Sequence, residues 1–539
     1  MEAHLATLWE SFADAIGDRQ ALICGERRCT WQVYDDRAAR LASAFAAAGL
    51  KTDSKVGLYL YNSNEYLESQ FAAFKLRAVP VNINYRYLDD ELLYLLDNSD
   101  SEILVFHTSL GERVARVMDR APNVKLWIEV DAAGDAVPGA VAYESLVGGH
   151  EPAPRIRRSE DDVYMIYTGG TTGMPKGVMY DMGALLQFFI YIGFGLFSLG
   201  TPPAIGEISD GGDEIWHGSE SVVSIPACPL MHATGMWLSA MASLCVGGSV
   251  ATLKGTSFDA HELWQLTERE KARQIVIVGD SFAKPMLRAL EEARDAGRPY
   301  DLSELGSVVS SGAMWTSEVK QQFLDWHDLI LIDVLGSTEG GVGTQLTTRG
   351  NVGETASFSM NLTTKVFTED GREVVPGSGE SGMVAVSGVV PIGYFKDDVK
   401  SRATFKAIDG VRYSFPGDWA LVEADRTLTL LGRGSNCINT AGEKVYPEEV
   451  EVTVKQHPDV IDCLVVGVDD TDFGQRVTAV ASLLIGSETD EAVLREFVRA
   501  KLASYKVPKQ IVLVDEVRRA ANGKPDYVWA RKIVEAALA

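Results

Sequence analysis

Eleven consecutive residues, Tyr167-Thr168-Gly169-Gly170-Thr171-Thr172-Gly173-Met174-Pro175-Lys176-Gly177, gather four glycines, three threonines and one lysine. Just ahead of them runs the apolar stretch Val163 to Tyr167, which reads as a buried strand. Glycines let the backbone take conformations that a side chain forbids. Hydroxyls and freed N–H groups can then turn towards phosphate oxygens, with Lys176 as a compact positive charge at the loop's end. The chain must therefore build a sheet whose strand releases an anion cradle. The widespread phosphate loop ends Gly-Lys-Ser/Thr and opens a helix. Here Pro175 precedes the lysine, Gly177 follows it, and Val178-Met179-Tyr180 is extended in character, which argues against a kinase or motor ATPase.

At 539 residues two to four domains are expected. Through the first 150 residues and again later, helical and strand patterns alternate. Helix Asp36 to Leu50 precedes strand Val56 to Leu60; helix Asn64 to Lys75 precedes Val79 to Asn82; Ile103 to Phe106 is a further strand. Helix His261 to Arg273 precedes strand Gln274 to Val278, and strands Gly306 to Val309 and Leu329 to Leu335 follow. Such alternation predicts an α/β fold of parallel-rich sheets covered by helices. Residues 201–220 interrupt it with two prolines, four glycines and five acids, the composition of a surface insertion. Past Gly432 the pattern changes to a small α+β unit, with strands Cys463 to Val468, Val477 to Leu484 and Ile511 to Val517 and helix Glu491 to Tyr505. Gly432-Arg433-Gly434-Ser435-Asn436 is the linker. The expected division is a large domain over 1–432, a hinge over 433–436 and a small mobile domain over 437–539.

The formal charge of −25 argues against a nucleic-acid binder or a polybasic membrane anchor. Between Arg499 and Lys532, however, nine basic residues face three acids, which suits an anionic ligand reaching the C-terminal end. Cysteines at 24, 29, 228, 245, 437 and 463 are scattered, and Cys24 and Cys29 have no second pair to complete a zinc site. With no signal-peptide pattern at the start, reduced thiols in a cytoplasmic protein are expected. Ala184 to Leu199 is apolar but short of the ~20 residues that span a bilayer, so a core helix or a lipid-facing pocket wall is expected.

Two more glycine-rich turns follow strands: Ser310-Ser311-Gly312-Ala313 and Leu335-Gly336-Ser337-Thr338-Glu339-Gly340. Parallel sheets bind ligands at the carboxyl ends of their strands, so all three turns are expected to open on one side. Glu339 beside a phosphate loop is a natural Mg²⁺ contact, although a Thr-Glu pair can equally cap a helix. Asp418, in Phe415-Pro416-Gly417-Asp418-Trp419, could accept from two vicinal hydroxyls, or be a solvated turn residue. His232, Arg433 and Lys524 each have an ordinary structural reading when taken singly.

Taken in order, the phosphate loop, the Ser-Gly-Ala turn, Gly-x-Thr-Glu, Gly417-Asp418, Gly432-Arg433, Gly442-Glu443-Lys444-Val445-x-Pro447 and Asn522-Gly523-Lys524 resemble the adenylate-forming superfamily of acyl-CoA synthetases, luciferases and peptide-synthetase adenylation domains. Pro80-Val81-Asn82-Ile83-Asn84 resembles a family motif too. The resemblance covers about Leu8 to Lys532 and is closest to bacterial acyl-CoA synthetases. Gly279-Asp280-Ser281 and Cys437-Ile438-Asn439-Thr440 are similar to an actinobacterial branch that includes steroid side-chain and fatty acyl-CoA ligases.

The resemblance implies an AMP-forming acid–thiol ligase with ATP, Mg²⁺ and coenzyme A as cofactor and co-substrates. Thr168, Thr171, Thr172 and Lys176 would hold the β- and γ-phosphates, with Gly169, Gly170 and Gly173 in the same ATP-binding loop. Thr338 would contact the α-phosphate and Glu339 the metal. Ser311, Gly312, Ala313, Leu335, Gly336 and Ser337 would border the nucleotide, with Asp333 accepting from the adenine amino group. Asp418 and Arg433 would bind the ribose. Lys524 would bridge substrate carboxylate and α-phosphate, and His232 would stand at the mouth of the acyl pocket. Hinging at Asn436 would bring the CoA-binding residues Gly442, Glu443 and Lys444 to the acyl-adenylate. The family pattern is departed from at Leu335, where an aromatic residue usually stacks on adenine, at Asn436, commonly Asp or Lys, and at Asn439, usually Lys. Looser ATP binding and a different electrostatic trigger for hinging are the expected consequences. The same motifs also serve enzymes that load a carrier protein. Pocket stretches Leu185 to Leu199 and Met236 to Leu244 contain no basic residue, so a medium or long aliphatic acid or a polycyclic acid is expected over acetate or a diacid. Expected partners are that acid, ATP and CoA, with no nucleic acid, peripheral membrane association at most, and a homodimer left open.

Overall fold

Six strands, Gln20–Cys24, Ser249–Thr252, Val223–Pro226, Gln274–Ile277, Ser307–Ser311 and Ile330–Ser337, lie side by side in that order and all run parallel. They form the parallel half of a 15-stranded sheet in the computed structural model. The structure describes the chain except residues 1, 133–136, 171–172, 209–221, 434–435, 437, 441–442, 471–473, 520–524 and 539, and except the side chains of 169, 170, 173, 433, 439, 443, 444 and 474. Helices Ala260–Glu270, Gly279–Asp295 and Ser317–Trp326 make successive crossovers. Gly279–Asp295 shows why they cover the sheet: Phe282, Ala283, Met286, Leu287 and Leu290 recur at helical spacing and pack on a core with Ile275 and Val308.

The sheet changes character at one hairpin. Ile330–Ser337 turns through Thr338 and Glu339 into Gly340–Thr347, which pairs antiparallel, and the remaining strands out to Phe405–Ile408 are antiparallel as well. A second, five-stranded parallel sheet holds Val79–Asn82, Lys55–Tyr59, Ser101–His107, Leu126–Val130 and Val141–Ala142. Helix Asn64–Lys75 is buried along its whole length. Its charged side chains survive there because each is paired: Glu65 with Arg27, Glu68 with Arg37 at 2.9 Å, and Lys75 with Glu10 at 2.8 Å. Ile438–Thr440, Glu443–Val445, Val460–Asp470, Gly474–Leu483 and Gln510–Val514 form a separate five-stranded sheet with its own apolar core. The α/β class, with a large sheet unit and a small C-terminal one, is as the sequence pattern indicates.

Several local expectations need correction. The first long helix starts at Trp31, not Asp36, because the Thr30 hydroxyl caps it by accepting from Val33 N at 3.3 Å. Helix Glu491–Arg499 stops before Tyr505, and Ser504–Lys506 is a separate 3₁₀ turn. The strand before the phosphate loop, Val163–Gly170, does not belong to a parallel sheet. It is one arm of an antiparallel hairpin with Gly173–Asp181, in a three-stranded sheet completed by Gly393–Tyr394. Residues 209–220 of the expected insertion lie outside the described residues. The apolar stretch near 184–199 is helix Met182–Phe197, and no described helix is long and apolar enough to cross a membrane. The five described cysteines are free thiols, and burial pushes Cys29 and Cys228 up to about 12.

Candidate active site

The two glycine-rich turns at the ends of adjacent parallel strands and the hairpin carrying the phosphate loop open on one cavity of about 1750 Å³. Thr168, Ser311, Gly312, Gly336, Ser337 and Thr338 line it, as does His232. Pockets for a single small ligand run to roughly 1,000 Å³, so this volume suits two ligands side by side. Ala313, Asp333, Leu335, Lys176, Glu339 and Asp418 are not among its lining residues.

Thr338 and Glu339 occupy the tip of the hairpin where Ser337 faces Gly340, so they cap no helix. Two tyrosines pin that tip. Tyr180 Oη donates to Thr338 O at 2.8 Å, and Tyr394 Oη donates to Glu339 Oε1 at 2.8 Å. Thr338 Oγ1 donates to the other carboxylate oxygen at 3.1 Å. Burial holds the Tyr180 hydroxyl well above its ordinary range, so it stays a donor. Lys176 reaches the same third strand: its Nζ lies 2.6 Å from Asp397 Oδ2 and 5.7 Å from the centre of the Tyr394 ring. Asp397 Oδ1 accepts from Lys400 N at 3.0 Å and caps helix Asp398–Thr404. The Lys176 ammonium, seconded by Lys400 N, holds the Asp397 carboxyl below its ordinary value.

Asn82 ties the two sides of the cavity together. Its Nδ2 donates to Tyr167 O at 2.8 Å and Met231 O at 2.6 Å, while its Oδ1 accepts from Tyr167 N at 2.7 Å. The residue before the phosphate loop and the residue before His232 thus share one amide. Asn62 fixes the same loop from behind, donating to Cys228 O at 3.1 Å and accepting from Leu230 N at 2.7 Å. Asp333 is buried, and Lys320 Nζ donates to its Oδ2 at 2.9 Å. Burial nevertheless raises its carboxyl above the ordinary value. Leu335 packs beside the Val342 and Val386 cluster, while its neighbours Val334 and Gly336 line the cavity. Asp418 and Arg433 face each other across adjacent strands.

The apolar end of the cavity is built by helix Met182–Phe197, through Leu185, Phe188, Ile192 and Leu196, and by Trp237 and Leu238. Trp237 lies in a π-helical turn, Met236–Met241, and its Nε1 donates to Tyr164 Oη at 3.1 Å. Residues 239–244 are buried in the core and do not line the pocket. Gly193 is a close-approach position, since a Cβ there would come within 2.4 Å of Ala242 O. Asn436 is half-buried. Thr171, Thr172, Gly442 and Lys524 lie outside the described residues, as do the side chains of Gly169, Gly170, Gly173, Arg433, Glu443 and Lys444. Pro525, beside Lys524, lines the same cavity. Tyr180, Tyr394, Asp397 and the role of Asn82 were missed by sequence reasoning. They act through contacts over long sequence separations, and only the Asn82 motif carried a local signal.

No described cluster of three or more His, Cys, Asp or Glu side chains could hold a metal by itself. A Mg²⁺ brought in on substrate phosphates needs only one or two carboxylates, and the oriented Glu339 fits that requirement.

Residues 9–395 match the family described as AMP-binding enzyme, and residues 449–524 match the AMP-binding enzyme C-terminal domain. The chain is 40% identical to a 3-oxocholest-4-en-26-oate–CoA ligase of Rhodococcus rhodochrous, over 98% of this chain and 96% of the relative. It is also 40% identical to a medium/long-chain-fatty-acid–CoA/3-oxocholest-4-en-26-oate–CoA ligase of Mycolicibacterium smegmatis, over 99% and 97%. Among solved structures it superposes on an anthranilate CoA ligase in complex with anthranoyl-AMP with a TM-score of 0.83, at 21% identity over 98% of both chains. These likenesses define an adenylate-forming fold. The chain belongs to the AMP-binding enzyme family, and the resemblance to its actinobacterial acyl-CoA ligase branch is borne out.

Proposed function

We propose that the chain is an ATP-dependent acyl-CoA ligase that converts a hydrophobic carboxylic acid to its CoA thioester through an acyl-AMP, releasing AMP and pyrophosphate. The observation that carries this is the single cavity running from the Thr168, Ser311–Gly312 and Gly336–Thr338 turns to the apolar wall of helix Met182–Phe197. A nucleotide and an apolar acid can lie there in contact. The relatives named for fatty acids and a steroid side-chain acid favour that reading over transfer to a carrier protein.

In the first step the substrate carboxylate oxygen attacks the α-phosphorus of ATP, and the bond to the bridging oxygen breaks to release pyrophosphate. No protein nucleophile is required. The need is to bring anions together in the right orientation. Thr168 and Lys176 are the groups for the β- and γ-phosphates, Thr338 for the α-phosphate, and Lys524 for bridging the two reacting anions. Glu339 would hold the Mg²⁺, whose charge neutralises phosphate oxygens when bound. Ser311, Gly312 and Gly336 border the nucleoside, and Asp418 with Arg433 serves the ribose. In the second step the CoA thiol attacks the acyl carbon, its proton is lost, and AMP leaves. The domain division at 433–436, with a hinge at Asn436, would exchange Lys524 for Gly442, Glu443 and Lys444 between steps. A cytoplasmic location follows from the supply of ATP and CoA.

The test is AMP and pyrophosphate release from Mg²⁺-ATP with acetate, octanoate, palmitate, benzoate or a steroid side-chain acid, with and without CoA. CoA-dependent AMP turnover with hydrophobic acids is expected. Pyrophosphate exchange that CoA cannot drive forward would move the assignment to carrier-protein loading.

A further inference from the structure

One side chain of the pocket helix makes both of its hydrogen bonds to the segment that follows that helix. Gln187, on helix Met182–Phe197, uses both ends of its amide on the segment that follows the helix: Nε2 donates to Pro203 O at 3.2 Å, and Oε1 accepts from Ile205 N at 3.0 Å. Between the helix end and those anchors, Gly200 and Pro202 contribute to the cavity lining. The chain can double back because Ser198 and Gly200 take left-handed conformations, at φ 56° and 96°. Gln187, Tyr191 and Gly195 follow one another at four-residue spacing, on one face of the helix, and all three line the cavity. The two helix glycines differ sharply. Gly193 has no room for a side chain, whereas a Cβ on Gly195 meets nothing within 4 Å.

We propose that residues 198–205, pinned to the pocket helix by Gln187, form the wall that sets the longest acid the pocket accepts, and that Gly195 is left bare to keep the space before that wall open. The inference rests on the ligase reading and extends it to chain-length selection. Losing the Gln187 amide frees the Pro203 carbonyl and the Ile205 N–H to water, and the wall can then move outward. A larger side chain at residue 195 instead fills the space.

The test compares kcat/KM for octanoate, palmitate and 3-oxocholest-4-en-26-oate in the full-length enzyme and two variants, by CoA-dependent AMP release. Gln187→Ala should raise the ratio of palmitate to octanoate kcat/KM by about tenfold. Gly195→Leu should lower the same ratio, and the steroid acid rate, by about tenfold or more, since single methylenes carry such factors in apolar pockets. Leucine also favours a helix over glycine, so this variant should fold even if the first does not. Variants that change all three acids by one common factor, or leave the ratio where it was, would overturn the wall while sparing the ligase. Absence of AMP release with every acid would sink the ligase reading and this inference with it.

Discussion

The Nζ of Lys176 lies 2.6 Å from Oδ2 of Asp397, across 221 positions of sequence. The lysine of the phosphate loop is thus already paired with an anion from the neighbouring strand end. Both side chains are about one-third exposed, at 38% and 31%, and a pair in that setting is worth at most ~1 kcal/mol. Phosphate oxygens can therefore displace the carboxylate at little cost.

Asp397→Asn removes the competing charge while leaving an Oδ1 that can still accept from Lys400 N. The KM for ATP should fall, by up to about fivefold, the ceiling set by a partly exposed pair. Initial rates of pyrophosphate exchange against ATP concentration would show it. A raised KM would mean instead that Asp397 serves to aim the lysine.

Tyr394→Phe isolates a second contact. The ring keeps its place beside Phe405, at 5.2 Å between centroids, but the hydroxyl that donates to Glu339 Oε1 is lost. Hydrogen bonds to charged groups contribute about 1.5–3 kcal/mol, so adenylation should slow by roughly 10- to 100-fold. Part of that loss should be recovered at raised Mg²⁺ if Glu339 holds the ion. A Mg²⁺ titration that only scales down, without shifting, would detach Tyr394 from the metal site.

These contacts mark where the sequence is readable and where it is not. Parallel strands were legible because their apolar runs alternate with amphipathic helices such as Gly279–Asp295. The turns at Ser311–Gly312 and Gly336–Thr338 were legible because glycine and hydroxyl residues follow those strands directly. The kind of sheet that carries the phosphate-loop strand was not legible, since an apolar run such as Val163 to Tyr167 reads alike in parallel and antiparallel pairing. That strand pairs with Gly173–Asp181, whose other neighbour, Gly393–Tyr394, lies more than 200 residues away. Tyr394, Asp397 and Gln187 sit in unremarkable local sequence. Their meaning lies in what the fold brings to them.

A third prediction concerns acid stability. His4 caps helix Leu5–Ala15 by accepting from Ala6 N at 3.1 Å, and its other ring nitrogen lies 3.5 Å from Asp162 Oδ2. Burial, helped by the positive charges of Arg158 and Arg77 and opposed by Glu10, lowers its pKa from 6.5 to about 3. The ring is therefore neutral when folded and takes a proton readily when unfolded. Its contribution is fully present above pH 6.5 and drains away as pH falls towards about 3. His4→Gln should lose about 1 kcal/mol at pH 7.5 from the weakened cap, yet show a flatter decline of Tm between pH 6.5 and 4 than the parent. Parallel Tm-against-pH curves would remove His4 from the acid response.

The two half-reactions make opposite demands on one lysine. Forming the adenylate requires a carboxylate to approach a phosphate, two groups that repel each other, and a cation between them offsets that repulsion. Thioester formation starts after the carboxylate charge has been consumed in the acyl–phosphate bond, and the incoming thiol sulfur attacks the acyl carbon rather than the phosphate, so no such bridge is needed. Pro525, the next residue in sequence after Lys524, lines the cavity. Lys524→Ala should therefore lower acid-dependent pyrophosphate exchange by a factor of 100 or more, about 3 kcal/mol, while CoA thioester formation from supplied acyl-AMP changes by less than about fivefold. Measuring both halves on the same preparation separates this from misfolding, which would depress them together. Equal losses in a folded variant would show that the lysine serves the fold or both steps, and the bridging role would have to pass to another cation.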